Sequence, residues 1–180
     1  MKATGIVRRI DDLGRVVIPK EIRRTMRIRE GDPLEIYTSR DGEVIFKKYS
    51  LLGGVEDFAG QLCDTMSRST GSICAVTDRD TVISVAGGGK RELLGKRISP
   101  DLEQIMESRR IYQFSGDGAP IPVSDASDKL FANVAAPILS EGDLLGLVLF
   151  VGTTPGTATG DAEYKLAQTI AAFLGRHMES

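Results

Sequence analysis

The chain has 180 residues, of which 41% are hydrophobic and 27% are charged, a composition typical of a globular protein of one or two domains. Its longest apolar run, Leu144 to Val151, is too short to cross a bilayer, and we expect no secretory signal. Two cysteines and one histidine do not make a structural zinc site, so no metal and no cofactor are predicted. These features predict a cytoplasmic protein with reduced cysteines and no membrane attachment.

Charge is distributed unevenly along the chain. Residues 1–50 carry twelve basic and eight acidic side chains, a net of +4, whereas residues 51–180 carry eleven and seventeen, a net of −6. A basic module suits nucleic acid, which an acidic module would repel. We therefore predict a nucleic-acid-binding domain at 1–50, a linker at 51–55 and a second domain at 56–178.

The N-terminal pattern predicts a strand, a turn at Gly14, an apolar strand from Arg15 to Ile18, and a helix with Pro19 at its first position. Ile22 and Met26 lie one turn apart and mark the side of this helix that we expect to be buried. The cations of the helix then share the opposite face.

Residues 1–29 carry nine basic and three acidic side chains, a net of +6 in a chain whose total is −2. Most of the nine are arginines, whose planar fork suits phosphates and guanine edges, whereas lysine offers a point charge. The alternative is an ordinary solvated surface. We predict that DNA is contacted by Arg8, Arg15, Arg23 and Arg24, with Arg9, Lys20 and Arg27 at the periphery.

Asp11 and Asp12 interrupt this cationic stretch and have two interpretations. Their carboxylates could orient neighbouring arginines by ion pairing. Alternatively, they are turn-forming residues ahead of Leu13-Gly14. The pattern alone leaves both interpretations open.

Residues 32–48 have the pattern of a β-hairpin. Leu34 and Ile36 alternate with polar residues, Asp41-Gly42 supplies the turn, and Val44 to Phe46 form the return strand. So small a unit, with apolar side chains on both faces, has too little core to be stable alone. We therefore expect this domain to be a dimer.

The stretches Thr4 to Arg8 and Leu13 to Pro19, followed by Ile22-Arg23-Arg24, resemble the AbrB-type swapped-hairpin DNA-binding domain of bacterial transition-state regulators. The resemblance implies that two copies interleave their strands into one β domain that binds duplex DNA. Domains of this family also occur in antitoxins, which is an alternative function. An antitoxin usually ends in a short disordered tail, whereas this chain continues with a segment that has the pattern of a folded domain.

The sequence pattern of residues 56–178 predicts a helix, two strands, a helix, a hairpin and a final helix. The strands are expected at 72–77 and 81–86, the second helix is capped by Ser99, the hairpin joins 134–139 to 144–151, and the last helix spans 161–178. The expected inward residues are Phe58, Leu62 and Met66, then Leu102, Ile105 and Met106, and finally Ala162, Leu166, Ile170 and Phe173.

This order of elements, together with the hairpin from Asn133 to Leu149, resembles a GAF domain. Such domains commonly hold a small molecule, so the resemblance implies a sensor; a purely structural, oligomer-forming tail is the alternative. The predicted fold class is α+β, with an N-terminal interleaved swapped-hairpin β domain and a C-terminal GAF-like antiparallel sheet with flanking helices.

Gly87-Gly88-Gly89-Lys90-Arg91 has some features of a phosphate-binding loop. However, Ser84 stands where such a loop needs a glycine, and Arg91 replaces the hydroxyl residue after the lysine. We expect a flexible loop instead. Lys90 and Arg91 remain the candidate ligand-binding residues, because their charges could close over an anion.

The chain contains no pattern that predicts catalysis. Cys63 and Cys74 are expected to be small buried hydrophobes, and His177 a packing or helix-end residue. No nucleophile is accompanied by a base, and no two carboxylates have a suggestive spacing. We expect no catalytic residue, and an enzyme is the weaker alternative.

The two modules in this order resemble sporulation regulators of endospore-forming bacteria. The resemblance implies a transcription regulator that activates some late sporulation genes and represses others. We predict a homo-oligomer on duplex DNA that is dimeric through the N-terminal domain. Two apolar stripes on the tail helices are expected to join dimers into a tetramer, one at Phe58, Leu62 and Met66 and one at Leu166, Ile170 and Phe173. The alternative is that both stripes pack on their own sheet.

Overall fold

The computed structural model describes residues 4–155 and 159–178, and the chain divides into two compact units after Tyr49. Each unit combines an antiparallel sheet with helices, so the predicted α+β class is confirmed. Within the described ranges, no helix is long and apolar enough to cross a membrane.

The N-terminal unit contains α1 (Lys20–Met26) and a hairpin of β1 (Leu34–Thr38) and β2 (Val44–Lys48). The strands pair antiparallel, with Ile36 opposite Phe46. Gly42 supplies the left-handed backbone of the turn, with a φ of 83°. The hairpin is present as predicted.

Apolar side chains in this unit remain exposed. Helix α1 buries no residue, and Met26 is 51% exposed, so the prediction that Met26 faces a core is wrong within one chain. Val7 is 85% exposed and Val17 is 70% exposed. Apolar surface this extensive on a small unit indicates that its cover lies outside the chain.

Two other predictions for this unit are wrong. Residues 5–18 contain a turn at 12–14 but no strand, because a strand requires a hydrogen-bonded neighbour that one chain does not supply here. Pro19 is the N-cap of α1, not its first residue. Its ring fixes φ at −58°, but ψ is 148°, which is extended.

The C-terminal unit is built on an antiparallel sheet with helices. Its elements are α2 (Glu56–Thr70), β3 (Ile73–Thr77), β4 (Val82–Ala86), α3 (Lys90–Leu93), α4 (Pro100–Ser108), β5 (Tyr112–Gln113), β6 (Ile121–Ser124), β7 (Ser127–Ser140), β8 (Asp143–Gly152) and α5 (Asp161–His177). The strand order in the sheet is β4-β3-β8-β7-β5, with β6 also paired to β7. Helix α3 and strands β5 and β6 were not predicted, because segments of two to four residues carry no usable periodicity.

Apolar cores cover both faces of this sheet, which gives the predicted GAF-like arrangement. Cys63 of α2 and Leu174 of α5 belong to one core, and Leu93 of α3 and Leu102 of α4 belong to the other. Leu52, in the segment predicted as a linker, is only 1% exposed and is part of the first core.

The face that helix α5 turns to the sheet matches the prediction only in part. Leu166 and Ile170 are half-buried and pack against the first core as predicted, whereas Ala162 and Phe173 are exposed. The buried residues of the helix are Ala167, Ala171, Leu174 and Gly175. Small residues allow the helix to approach closely, since a Cβ added to Gly175 would overlap the carbonyl oxygen of Leu139. The larger apolar side chains therefore lie on the flank of the helix.

Candidate nucleic-acid interface

The predicted DNA-contacting cations lie before, on and just after α1. Arg23 and Arg24 occupy its last turn, where the helix dipole favours positive charge. Their role in DNA binding stays a prediction. Of the seven, Arg27 is half-buried and the exposed ones are Arg8, Arg9, Arg15, Lys20, Arg23 and Arg24.

Most of these cations have no acidic partner. Within residues 4–155 and 159–178, five side chains make no hydrogen bond, ion pair or ring contact, namely Arg8, Arg9, Lys20, Arg23 and Arg24. By contrast, the Lys47 ammonium lies 4.6 Å from the centre of the Tyr37 ring, and Lys48 pairs with Asp32. The cations around α1 are therefore available to an external anion.

Asp11 builds the turn that precedes α1 and also binds an arginine. Its Oδ1 accepts hydrogen bonds from the backbone N–H groups of Leu13, at 3.0 Å, and Arg15, at 2.8 Å. Its Oδ2 accepts from Arg15 Nε at 2.8 Å. The backbone and side-chain hydrogen bonds from Arg15 hold the pKa of Asp11 below its usual value. Both interpretations of Asp11 are thus combined in one side chain.

Arg27 ends helix α1 in a left-handed conformation, with a φ of 50°. Its N–H donates to the carbonyl of Arg24, and its own carbonyl accepts a 2.8 Å hydrogen bond from Lys48 Nζ. A non-glycine residue in this conformation is uncommon and here forms the C-terminal cap of the helix. The cap fixes where the backbone leaves α1.

Lys90 and Arg91 are exposed at the start of α3, in the segment predicted as a flexible loop. That prediction is wrong for these residues, because Leu93 anchors the helical turn in the core at 0% exposure. The side chains of Lys90 and Arg91 make no hydrogen bond or ion pair with any residue that the structure describes. The candidate ligand-binding pair is therefore solvated.

An open groove of about 410 Å³ lies between α4 and residues 119–121. Its polar lining comes from Asp101, Gln104 and Ser108, and neither Lys90 nor Arg91 lines it. The space between the sheet and the helices on the same side is filled by side chains at 0% exposure, namely Leu93, Ile98, Leu102, Met106 and Val123.

The two cysteines and the histidine form no site. Cys63 and Cys74 are buried, and burial raises the pKa of the Cys63 thiol to about 11 and that of Cys74 to about 12. The His177 ring lies 4.8 Å from the Phe58 ring, measured between centroids. In the described part of the chain, no group of three or more potential metal ligands occurs.

Comparisons with known proteins cover both units. Residues 54–179 match the family described as stage V sporulation protein T C-terminal, transcription factor. Over 179 residues the chain is 47% identical to stage V sporulation protein T of Bacillus subtilis (strain 168), covering 99% of each protein. The chain belongs to the stage V sporulation protein T family. Membership of this family of transcription factors confirms the prediction that the chain is not an enzyme.

The N-terminal unit of this family member has further relatives. Residues 7–50 match the family described as antidote-toxin recognition MazE, bacterial antitoxin. Over 49 residues, 27% of this chain, it is 63% identical to the transition state regulatory protein AbrB of Bacillus subtilis (strain 168), covering 50% of that protein. The sequence of this unit is thus similar to half of a transition state regulatory protein.

The solved structure of a type II free methionine-R-sulfoxide reductase from Thermoplasma acidophilum resembles a larger part of the chain. The matched region covers 69% of this chain and 94% of the reductase chain, with 9% sequence identity and a TM-score of 0.51. At this identity the likeness shows the fold alone.

Proposed function

We propose that this member of the stage V sporulation protein T family binds duplex DNA as a homo-oligomer through its N-terminal arginines. Arg8, Arg15, Arg23 and Arg24 contact the DNA, and Arg9, Lys20 and Arg27 are peripheral. The observation that carries the proposal is the set of exposed cations around α1 without acidic partners. Such cations replace condensed counterions on the phosphate backbone, and arginine forks also reach guanine edges in the major groove.

The test compares two double variants of equal charge change. Arg23→Ala with Arg24→Ala removes two cations from α1, and Lys90→Ala with Arg91→Ala removes two from the C-terminal unit. Titration of a promoter fragment at fixed salt should show binding lost in the first variant and retained in the second. Equal binding by both variants would remove the arginines from the interface.

A second copy of the chain completes the N-terminal unit in this proposal. Ile10 and Leu13 are 70% and 71% exposed, and helix α1 contributes no buried residue. Interleaving residues 5–18 of two copies supplies both the missing strand partners and the missing core. Light scattering of the full chain with Ile10→Asp should report lost dimerisation of this unit, whereas the exposed polar change Asp12→Asn should not alter the mass.

The tail helices provide the contact that joins dimers into a tetramer. Phe58 and Phe173 lie 5.8 Å apart between ring centroids on α2 and α5, and Phe173 is 48% exposed. Phe58 is half-buried, and a partly exposed aromatic pair on adjacent helices is typical of a helix-packing interface. Phe173→Ser should reduce the mass in solution from four chains to two. A full chain that is already dimeric would contradict the tetramer.

An antitoxin remains the second candidate, because residues 7–50 match the MazE antitoxin family. The relative that covers 99% of the chain favours a regulator. Transcript measurement in a spore-forming host separates the two. If the chain is a regulator, the variant with Arg23→Ala and Arg24→Ala should raise some late sporulation transcripts and lower others. If the chain is an antitoxin, the variant should stop growth. Acting on DNA also places the protein in the cytoplasm.

Sensing of a small molecule by the C-terminal unit is the last part of the proposal. The groove beside α4 has Asp101 as its charged lining residue, so it favours a ligand with hydrogen-bond donors, not an anion at Lys90 and Arg91. A metabolite screen for increased thermal stability of the full chain tests this, with Asp101→Asn as the site variant. Ligand and DNA must alter each other's affinity by the same factor. If no metabolite increases the thermal stability of the chain, the C-terminal unit is a structural tail and not a sensor.

A further inference from the structure

The turn before α1 is organised by one carboxylate with two separate tasks. One oxygen of Asp11 binds the backbone of residues 13 and 15, and the other binds Arg15 Nε at 2.8 Å. The turn is further closed by a 3.0 Å hydrogen bond from Gly14 N–H to the Asp11 carbonyl. The position of the Arg15 side chain is therefore tied to the backbone conformation of the turn.

This arrangement leaves the outer end of Arg15 open. The side chain is 69% exposed, and its two terminal nitrogens make no hydrogen bond to any residue in the described ranges. Nε is held by Asp11, and the terminal N–H groups stay available to an external acceptor. A long side chain that is already ordered loses less conformational freedom when it binds.

We propose that Asp11 is a positioning residue for DNA binding, which holds Arg15 so that its terminal nitrogens meet a phosphate or a guanine edge. The proposal rests on the proposed function, in which Arg15 contacts DNA. Asp11 itself does not need to touch DNA, because it acts through Arg15.

Because Asp11 is negatively charged, the direction in which DNA affinity changes when it is replaced tests the proposal. A carboxylate on a DNA-binding surface repels phosphates, so its removal alone should tighten binding. Asp12 serves as the matched control, because it is the next residue, is exposed, and makes no side-chain hydrogen bond or ion pair with a described residue. Asp12→Asn should leave affinity unchanged or slightly increase it. Asp11→Asn should weaken binding despite the same change in charge.

Asparagine has one acceptor oxygen, which can serve the backbone or Arg15 Nε but not both. We expect Asp11→Asn to keep the turn and lose the arginine contact. Asp11→Glu keeps the charge but displaces the carboxylate by one methylene, so it should also weaken binding. The expected loss for each is roughly 3- to 10-fold, the scale of ordering one long side chain.

The experiment is a double-mutant cycle on the full chain, with dissociation constants measured on one duplex at fixed salt. Asp11→Asn should weaken binding in the wild-type background, and in the Arg15→Ala background it should leave affinity unchanged or slightly increase it, as Asp12→Asn does. Circular dichroism and thermal unfolding verify that the variants fold. An equal loss in both backgrounds, or tighter binding by Asp11→Asn in the wild-type background, overturns the proposal.

A different outcome identifies a failure of the underlying assignment. If Arg15→Ala alone binds as tightly as wild type, Arg15 does not contact DNA and the positioning role of Asp11 falls with it. The DNA-binding function itself would then be judged by the Arg23→Ala, Arg24→Ala variant. The two failures are therefore distinguishable.

Discussion

Lys48 Nζ lies 3.5 Å from Asp32 Oδ2 and donates a 2.8 Å hydrogen bond to the Arg27 carbonyl. Asp32 Oδ2 also accepts from the backbone N–H of Arg29 at 2.9 Å, and its side chain is only 3% exposed. This cluster joins the end of β2 to the segment that follows α1. It thus connects the hairpin to the helix that carries Arg23 and Arg24.

Removal of Lys48 should destabilise the N-terminal unit, because the buried Asp32 carboxylate would lose the Lys48 ammonium as one of its partners. Breaking a buried pair costs about 3–5 kcal/mol, and the partial exposure of Lys48 reduces the expected loss to roughly 2–3 kcal/mol. Chemical denaturation of Lys48→Ala measures it. The control is Lys47→Ala, which removes a surface cation over Tyr37 and should cost well under half as much.

Two glycine-to-alanine changes should shift stability in opposite directions. A Cβ on Gly146 of β8 would overlap the backbone carbonyl of Thr77 on β3, so Gly146→Ala must push the paired strands apart. We expect a loss of about 1–3 kcal/mol in the unfolding free energy of the C-terminal unit. Gly60 of α2 meets only the Ser84 hydroxyl, at an ordinary distance, so Gly60→Ala should stabilise the helix by about 0.5–1 kcal/mol. Destabilisation by both changes would contradict the packing described for these strands.

The cysteines should be unreactive while the C-terminal unit is folded. Both are buried, and burial raises the pKa of Cys63 to about 11 and of Cys74 to about 12. The nucleophile is the thiolate, so a thiol reagent at pH 8 should label neither residue without denaturant and both with it. Rapid labelling of the native chain would show that the core opens.

The same cysteines make stability depend on alkaline pH. Each thiol binds its proton more tightly in the folded chain than in the unfolded chain, so folding is favoured fully below pH 9, the ordinary thiol value. Stability should then fall as pH rises from 9 towards 11 and 12. A Cys63→Ala, Cys74→Ala variant should show a smaller fall over this range in urea titrations.

DNA affinity should depend on both the charge and the shape of the α1 side chains. Removing two phosphate contacts per chain with Arg23→Ala and Arg24→Ala should lower the slope of log affinity against log salt. Arg23→Lys keeps the charge, so its slope should match wild type while its affinity falls through loss of the planar fork. Salt titrations of both variants on one duplex check this. A flat salt response in wild type would contradict a phosphate interface.

Elements with long, regular patterns were predictable from the sequence. Ser99 does cap α4, accepting a 3.1 Å hydrogen bond from the Leu102 N–H, and Pro100 is its first helical residue. The stretch 5–18 was not predictable as single-chain structure, because the apolar pattern of a strand is the same whether its partner is in the same chain or another. The face of α5 was predicted only in part, because its closest contact is made by Gly175, which carries no hydrophobic signal.

The candidate site was likewise predictable from the sequence only in part. A run of arginines in a locally basic segment is enough to predict their exposure, because charged side chains are rarely buried without partners. The double role of Asp11 depends on which oxygen faces which N–H group, and the groove beside α4 depends on how a helix and a loop meet. Neither relationship has a spacing along the chain that a sequence could display.

Helix α1 buries nothing in its own chain, whereas the C-terminal unit has cores on both faces of its sheet. In the proposed dimer, the unit that leaves the ribosome first is therefore the unit that finishes folding last. Residues 50–180 can reach their structure by a first-order process within one chain, whereas the proposed interleaving makes the N-terminal unit wait for an encounter between two chains. On this proposal, the supply of functional protein rises with the square of chain concentration at low expression, which gives the onset of regulation a threshold.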